Sequence, residues 1–389
     1  MKLFQRLLIA PAALGLLAPL AVNANEVNLN GISNYSDEEL EIDSNSFGNY
    51  SNVNPLLAGG EGLHNHGNSG YDGGFSETTT ASFSADFSIG AVDGLGISTG
   101  VTDGTEEVMA EYSFQIDLNT SFTGEDSLDI SIDAGNADLN PALDELDGNG
   151  TSDALQVDGI SYTFPLGEKT TVMLGDNVDG SELFTTACAY GGATDTLSSC
   201  GNVNANIENG GAMLGASYDF GNGFTSALGY AGTETGLMTK ENVDAWGINF
   251  AYTEDTYGVS LTHGVLETAQ VEDTFTAFNG YWSPEGFPYS VSAGYELGED
   301  GSVADSTADG TVAYFLGIDA EVGPGTLGLA YGTAGSFAEN TDEEIMYEAY
   351  YSYPINDGMT ITPIVYVREK ATAGTPDQTG VLVKTSFSF

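Results

Sequence analysis

The chain has 389 residues, with 57 acidic residues against 7 Lys or Arg and 3 His, a net charge of −50. So acidic a surface excludes nucleic acid and anionic headgroups as electrostatic partners and favours cations, although it equally suits a solvated surface in salty water. The 52 glycines, 20 tyrosines and 19 phenylalanines, with only 16% charged residues, fit short strands joined by tight turns.

The N-terminus reads Met1-Lys2-Leu3-Phe4-Gln5-Arg6, then an apolar run from Leu7 to Leu20, then Val22-Asn23-Ala24. A basic start, a short apolar core and small residues at −3 and −1 predict a secretory signal peptide over 1–24, cleaved after Ala24. Pro11, Pro19 and the short length argue against a retained membrane helix. Cleavage leaves five basic residues against 57 acidic, a net charge of −52. No later segment offers the ~20 apolar residues of a spanning helix, so a membrane-resident form must be a barrel. Residues 25–78 are rich in Asn, Ser, Gly and acid, and predict a flexible periplasmic lead-in. His64 and His66 lie within it. They either share a metal or are two solvated histidines in a loose segment.

From Thr79 the chain alternates. Ala81, Phe83, Ala85, Phe87 and Ile89 fall on one face, and Ser82, Ser84, Asp86 and Ser88 on the other. Such period-two patterning recurs near 108–118, 128–133, 155–165, 169–176, 211–220, 224–232, 243–254, 256–267, 273–282, 287–296, 311–319, 325–333, 343–353 and 359–369. The last stretch, 380–389, places Val381, Val383, Thr385, Phe387 and Phe389 opposite Leu382, Lys384, Ser386 and Ser388. It ends on an aromatic residue, as the last strands of outer-membrane barrels commonly do. Phe389 is therefore the predicted assembly signal.

The connections sort into two classes that alternate strictly. Short turns include Thr123–Asp126, Pro165–Glu168, Gly221–Gly223 and Gly323–Gly325; longer acidic loops span about 91–105, 136–153, 177–209, 233–242, 298–310, 334–342 and 370–379. The connection at 268–272 is shorter than its class. The predicted fold is all-β: a transmembrane antiparallel β-barrel of about 16 strands over 79–389, with short periplasmic turns and long outside loops. Tyr218, Phe220, Phe224, Tyr295, Tyr351 and Tyr353 are the expected lipid-facing aromatics. Asp86, Glu111, Asp117, Asp129, Asp133, Asp219 and Glu348 fall on the polar faces and are the expected lumen carboxylates.

The 177–209 loop is the longest. It carries Asp179, Glu182, Asp195, Glu208 and both cysteines, Cys188 and Cys200. In an exported chain the cysteines form a disulfide, worth about 3 kcal/mol on chain-entropy grounds, in preference to a metal pair that no further ligand supports. The loop either folds into the lumen and narrows it or stays outside as a stapled surface loop. Arg368 and Lys384 lie on the polar faces of the last two strands; they either set a transverse field against the acidic loop or pair with wall carboxylates. The stretch Asp144–Gly150 matches only part of a calcium-loop pattern. His263 shares a face with Tyr257, Val259 and Leu261 and is expected as a wall residue, and no nucleophile–base–acid set stands out.

Several stretches resemble one family, the outer-membrane porins of marine picocyanobacteria. They include Leu7–Leu16, Leu29–Tyr35, Ser76–Phe83, Gly159–Gly167, Leu214–Tyr218 and Lys384–Phe389. These porins are related to carbohydrate-selective porins and are often labelled iron-uptake porins. The resemblance covers nearly the whole chain and implies passive diffusion of small solutes or ions. Family members usually carry an S-layer-homology domain after the signal peptide. The span 36–60 is too short for one and lacks its pattern, so a chain without that domain is expected.

The functional expectation is an outer-membrane porin with an acidic, cation-preferring lumen, admitting inorganic ions, iron or sugars, and not an enzyme. No cofactor and no metal site is expected. The expected partners are outer-membrane lipid, small ions or solutes, the barrel-assembly machinery and, by analogy, two further copies in a homotrimer. The competing expectation is a secreted or surface acidic β-protein, such as a calcium-dependent adhesin or lectin. It would show a fixed Gly/Asp nonapeptide repeat, which the sequence lacks.

Overall fold

A computed structural model of the chain describes residues 79–389 apart from 95–106, 140–141, 209, 240, 269–270, 300, 302–309, 339–340 and 373. The expected signal peptide, the lead-in and the pair His64 and His66 lie outside the described residues. No described helix is long and apolar enough to cross a membrane.

Sixteen antiparallel strands form the wall. They are β1 (Thr79–Asp93), β2 (Met109–Thr120), β3 (Ser127–Gly135), β4 (Gln156–Pro165), β5 (Thr170–Asp176), β6 (Ala212–Gly221), β7 (Phe224–Gly232) and β8 (Asp244–Thr253), followed by β9 (Tyr257–Thr268), β10 (Val271–Trp282), β11 (Tyr289–Glu299), β12 (Gly310–Val322), β13 (Gly325–Thr333), β14 (Ile345–Asn356), β15 (Met359–Arg368) and β16 (Gln378–Ser388). Each strand pairs with the next, and β16 pairs back onto β1 to close the barrel. The expected all-β barrel of sixteen strands is therefore the observed fold. A further two-residue stretch, Phe337–Ala338, pairs with Thr311 and Val312 in a loop and is not part of the wall. Closure removes the unpaired edges that an open sheet would expose.

Directly opposed residues in an antiparallel ladder share a face. Ser88 lies opposite Glu111 on one side and Lys384 on the other, so all three point inward. Their sequence neighbours point outward: Phe87 is 56% exposed and Ile89 50%, whereas Ser88 is 5% exposed. The outer surface carries aromatics at both ends of the wall. At the short-turn end Phe224 and Tyr252 pack at 4.5 Å and Tyr218 and Phe220 at 4.8 Å. At the long-loop end Tyr331 sits between Tyr314 and Tyr347, at 5.9 and 5.3 Å.

Polar side chains hold the tight turns. Asp126 Oδ1 accepts from the Ser121 hydroxyl, from the Phe122 and Thr123 amides and from the Thr123 hydroxyl, while its Oδ2 accepts from the Tyr162 hydroxyl at 2.6 Å. One carboxylate thus satisfies the donors that the reversal between β2 and β3 frees.

Candidate channel constriction

The connection between β5 and β6 folds into the barrel. Its first pass runs extended along the inner wall, and every second amide is captured by a polar side chain of a different strand. Thr185 N donates to Asn249 on β8 (3.0 Å), Ala187 N to Ser260 on β9 (2.9 Å) and Ala189 N to Ser292 on β11 (2.8 Å). Gly191 N then donates to Asp319 on β12 (2.6 Å) and Ala193 N to Glu348 on β14 (3.2 Å). Donors two residues apart point the same way in an extended chain, so one edge of the loop faces the wall throughout. These anchors satisfy backbone groups that would otherwise be buried without partners.

The loop then turns at the helical turn Asp195–Ser198 and returns. On the way back Asn279 donates to the Cys200 carbonyl at 2.9 Å, and Glu296 accepts from the amides of Asn204 and Ala205 and from the Asn204 side chain, each at 2.8 Å. The Cys188–Cys200 disulfide ties the two passes together, with the two Cα atoms 6.4 Å apart. Inward-facing glycines make room for the loop. A Cβ at Gly229 would strike the Gly180 carbonyl and one at Gly294 the Cys200 carbonyl, while one at Gly247 would press on the His263 carbonyl and the ring of Phe184.

The preceding long connection, between β3 and β4, also turns inward over its described residues 142–155. Leu143 is 0% exposed and packs with Leu146, Leu197, Val92, Ile364, Tyr366 and Leu382 in one apolar cluster. Burying such side chains contributes about 1.5–3 kcal/mol each. Alternation places Leu382 beside Lys384 on the wet face of the last strand, but the inward loop makes that position dry. The two loops meet where Glu145 accepts from the Thr196 hydroxyl at 3.0 Å.

The expected lumen carboxylates all occupy inward register positions, yet they divide by what covers them. Asp86 lies opposite Ser386 on β16, and Asp117 accepts from Gln115 (2.7 Å) and Ser131 (2.8 Å). Asp129 accepts from Asn119 and Ser127, Asp219 lies opposite Thr225, and Asp133 is 9% exposed. Glu111 and Glu348 do not face pore water as their placement on polar faces suggests: they are 5% and 3% exposed, covered by the inward loops. Gly148 lies directly over the Glu111 carboxylate, and Glu348 Oε1 accepts from the Tyr190 hydroxyl at 2.5 Å.

On the 177–211 loop, Glu182, Asp195 and Glu208 are exposed and Asp179 is half-buried. Glu208 is pushed up to about 7, first by the desolvating surroundings and then by Asp179, Asp195, Asp147 and Glu296. Its side chain is still open to water, so the crowding of like charges is the firmer cause of the rise. Asp195 is raised by the desolvating surroundings and by Asp147, the like charge being the firmer cause for so exposed a side chain, and Asp179 by burial and then by Asp158. Asp147, from the partial calcium-loop stretch, and Asp158, which does not stand out in the sequence, thus join the acidic set.

The cations behave differently from one another. Arg368 is neutralised by Glu344 at 3.2 Å and Glu145 at 3.6 Å, and Lys370 pairs with Glu344 at 3.2 Å. Arg368 therefore follows the alternative of pairing with carboxylates and does not join Lys384 as a free cation on one wall facing the acidic loop. Among the described residues, Lys384 is the one Lys or Arg at an inward strand position without an ion pair. The partial calcium-loop stretch at 144–150 spends Glu145 on Arg368 and Thr196. Among the described residues no group of three His, Cys, Asp or Glu is placed to hold a metal ion. His263 faces outward, with Nδ1 2.9 Å from the Thr276 hydroxyl.

The anchors Asn249, Ser260, Ser292, Asp319 and Glu296 are the functional residues that the sequence hides. A signal for them exists in retrospect: single polar residues and glycines recur at inward positions of β6–β13, where a water-filled wall needs no glycine.

No protein-family model matches the chain, and no curated protein matches it by sequence. Solved structures do. An anion-selective porin from Comamonas acidovorans superposes with a TM-score of 0.58 at 15% identity, over 80% of this chain and 99% of that one. Pseudomonas putida OprB gives a TM-score of 0.58 at 10% identity, over 80% of this chain and 94% of that one. A substituted Rh. blastica porin gives 0.55 at 13% identity, over 80% of this chain and all of that one. At such identities the likeness is one of fold.

Proposed function

We propose that the chain is an outer-membrane channel for passive diffusion of small solutes and ions, with a cation-preferring lumen narrowed by the 177–211 loop. The apolar, aromatic-banded outer wall supports residence in a bilayer, where only a closed barrel satisfies strand backbones. The alternation of short and long connections supports short turns in the periplasm and long loops outside.

One observation carries the selectivity: Asp147, Glu182, Asp195 and Glu208 stand exposed around the constriction, while Arg368 is consumed by ion pairs. A lumen walled mostly by one sign of charge, with Lys384 alone against it among the described inward strand residues, raises the local concentration of the opposite ion. The anion-selective neighbour shares the fold, so selectivity must come from the side chains and not from the barrel.

Export by the N-terminal signal peptide, recognition of Phe389 by the barrel-assembly machinery and a homotrimeric state complete the proposal. The carboxylates favour cations in general, and no residue set singles out iron or a sugar. The deciding experiment is a planar-bilayer recording of the purified chain across a KCl gradient. K⁺ preference that weakens at high salt, as screening grows, is expected. Preference for Cl⁻, or no conductance, would refute the proposal.

A further inference from the structure

Glu111, at the long-loop end of β2, is 5% exposed, and neither of its carboxylate oxygens has a hydrogen-bond partner among the described residues. Buried polar groups ordinarily have partners, and a covered charge without one is costly. The cover is the stretch Asp147-Gly148-Asn149-Gly150 of the connection between β3 and β4. A Cβ at Gly148 would lie 2.9 Å from Glu111 Oε1 and 3.1 Å from Ser113 Oγ, so only a glycine lets the backbone come this close.

The stretch has fixed ends and a light hold in between. Before it, Leu143 and Leu146 are set in the apolar cluster. After it, the Thr151 hydroxyl accepts from the Gly135 amide at 2.9 Å, and Asp153 accepts from the Tyr112 hydroxyl at 2.9 Å. Between these points Asn149 ties it to β2: its amide donates to Ser113 Oγ at 2.8 Å and its side chain to the Phe114 carbonyl at 3.3 Å. The backbone is left-handed at Asp147 (φ 47°), Ser152 (φ 53°) and Asp153 (φ 63°), which non-glycine residues adopt at a cost.

Two charged groups act on Glu111. Asp144, in the same loop, repels its anion, and Lys384 on β16 attracts it. Lys384 makes no ion pair and stands across Ser88, in register with Glu111. We propose that Asp147–Gly150 is a proton-operated flap, docked over Glu111 while that residue is a neutral acid and released when it ionises and turns toward Lys384. The docked form gains as pH falls and is lost as pH rises. Asp147 also acts on Asp195 and Glu208, so the flap adjoins the constriction and its release alters the passage.

The test is amide hydrogen exchange of the full chain in detergent micelles, read at Asn149 against the Thr185 amide, which Asn249 holds on the opposite wall. Relative to that reference, Asn149 should exchange about tenfold faster at about pH 8 than at about pH 6. Glu111→Gln should keep the slow rate at both values, and so should Glu111→Met, which has no polar group to strand. Lys384→Met should leave Asn149 slower than in the wild type at the higher pH, because the released anion loses its partner. A wild-type ratio that does not change with pH, or the same change in both Glu111 variants, overturns the flap. In planar bilayers at about 1 M KCl, where the Debye length is about 3 Å and fixed charge bears little on current, the wild type should switch between two conductance levels whose occupancy follows pH, and Glu111→Gln should stay in one. A single level in the wild type at both pH values would overturn the link to the passage. Exchange is read without a membrane, so a chain that forms no channel at all removes the channel reading and leaves the flap to stand or fall on Asn149.

Discussion

The Tyr190 hydroxyl donates to Glu348 Oε1 at 2.5 Å, joining the tip of the inward loop to the far wall of the barrel. Both residues are buried, Tyr190 at 7% and Glu348 at 3% exposure, and Tyr190 also packs on Phe315 and Tyr350 at 5.2 and 5.8 Å. Glu348→Ala leaves the Tyr190 hydroxyl and the Ala193 amide without an acceptor, at a cost of about 1–3 kcal/mol for each buried group. Faster proteolysis of the 177–211 loop and noisier single-channel currents are expected, with unchanged barrel migration on gels. Glu348→Gln keeps an acceptor oxygen and should restore most of the protection. A loop equally resistant in Glu348→Ala would show that this contact does not hold it.

Cys188 and Cys200 should resist alkylation until reduced. Reduction should leave the loop inside, since Asn249, Ser260 and Ser292 still bind its first pass, but should raise current fluctuations. Free thiols in the exported protein would contradict the staple, and a collapse of conductance on reduction would contradict the anchors.

Charge at the constriction should respond to pH near neutrality. The Glu208 carboxyl is raised to about 7, so its negative charge is present above that pH and lost as pH falls through it. Cation preference, read from the reversal potential, should therefore decline between about pH 8 and 6, the span over which a group of pKa near 7 titrates. Glu208→Gln should lower preference at pH 8 and flatten this part of the profile. A wild-type profile flat over that range would assign the charge to other groups.

Gly294 lies against the Cys200 carbonyl. Gly294→Val should force the return pass off the wall, with an overpacking cost of about 1–3 kcal/mol. Larger unit conductance is the expected reading, because the constriction loses a support. Unaltered conductance would mean that the backbone shifts to absorb the side chain.

Phe389 stacks on Phe83 with ring centroids 5.6 Å apart and exchanges backbone hydrogen bonds with it in both directions, at 2.9 and 3.0 Å. Deleting Phe389 removes one stacked pair at the closing seam together with the proposed assembly signal. Membrane levels should fall, while channels that do insert should keep their unit conductance. Normal levels without Phe389 would refute the signal.

Much of the barrel is legible along the chain because strand periodicity is local. Phe83, Phe87 and Ile89 against Asp86 and Ser88 declare two faces with no knowledge of any partner strand, and turn residues such as Gly124 and Gly221 mark the reversals. The constriction is less legible because its chemistry depends on pairs far apart in sequence. Asp86 and Glu348 look alike as acids on polar faces. One sits by a serine of the closing strand, while the other is sealed under Tyr190. Leu382 looks misplaced beside Lys384 until it is found in the same buried apolar cluster as Leu143 of the inward loop.

Composition and alternation by themselves pointed to an acidic all-β barrel, its strand number, the inward or outward side of the wall residues and the length class of most connections, the link between Thr268 and Val271 being the exception. These follow from steric and solvation rules acting over two to ten residues. Only the tertiary structure decided which inward groups meet water. Two loops fold back through the barrel, and their amides need acceptors once buried. Glu348, Asp319, Ser260 and Ser292 are thereby committed to holding the loop, Arg368 is neutralised by Glu145 and Glu344, and Glu182, Asp195 and Glu208 are left exposed.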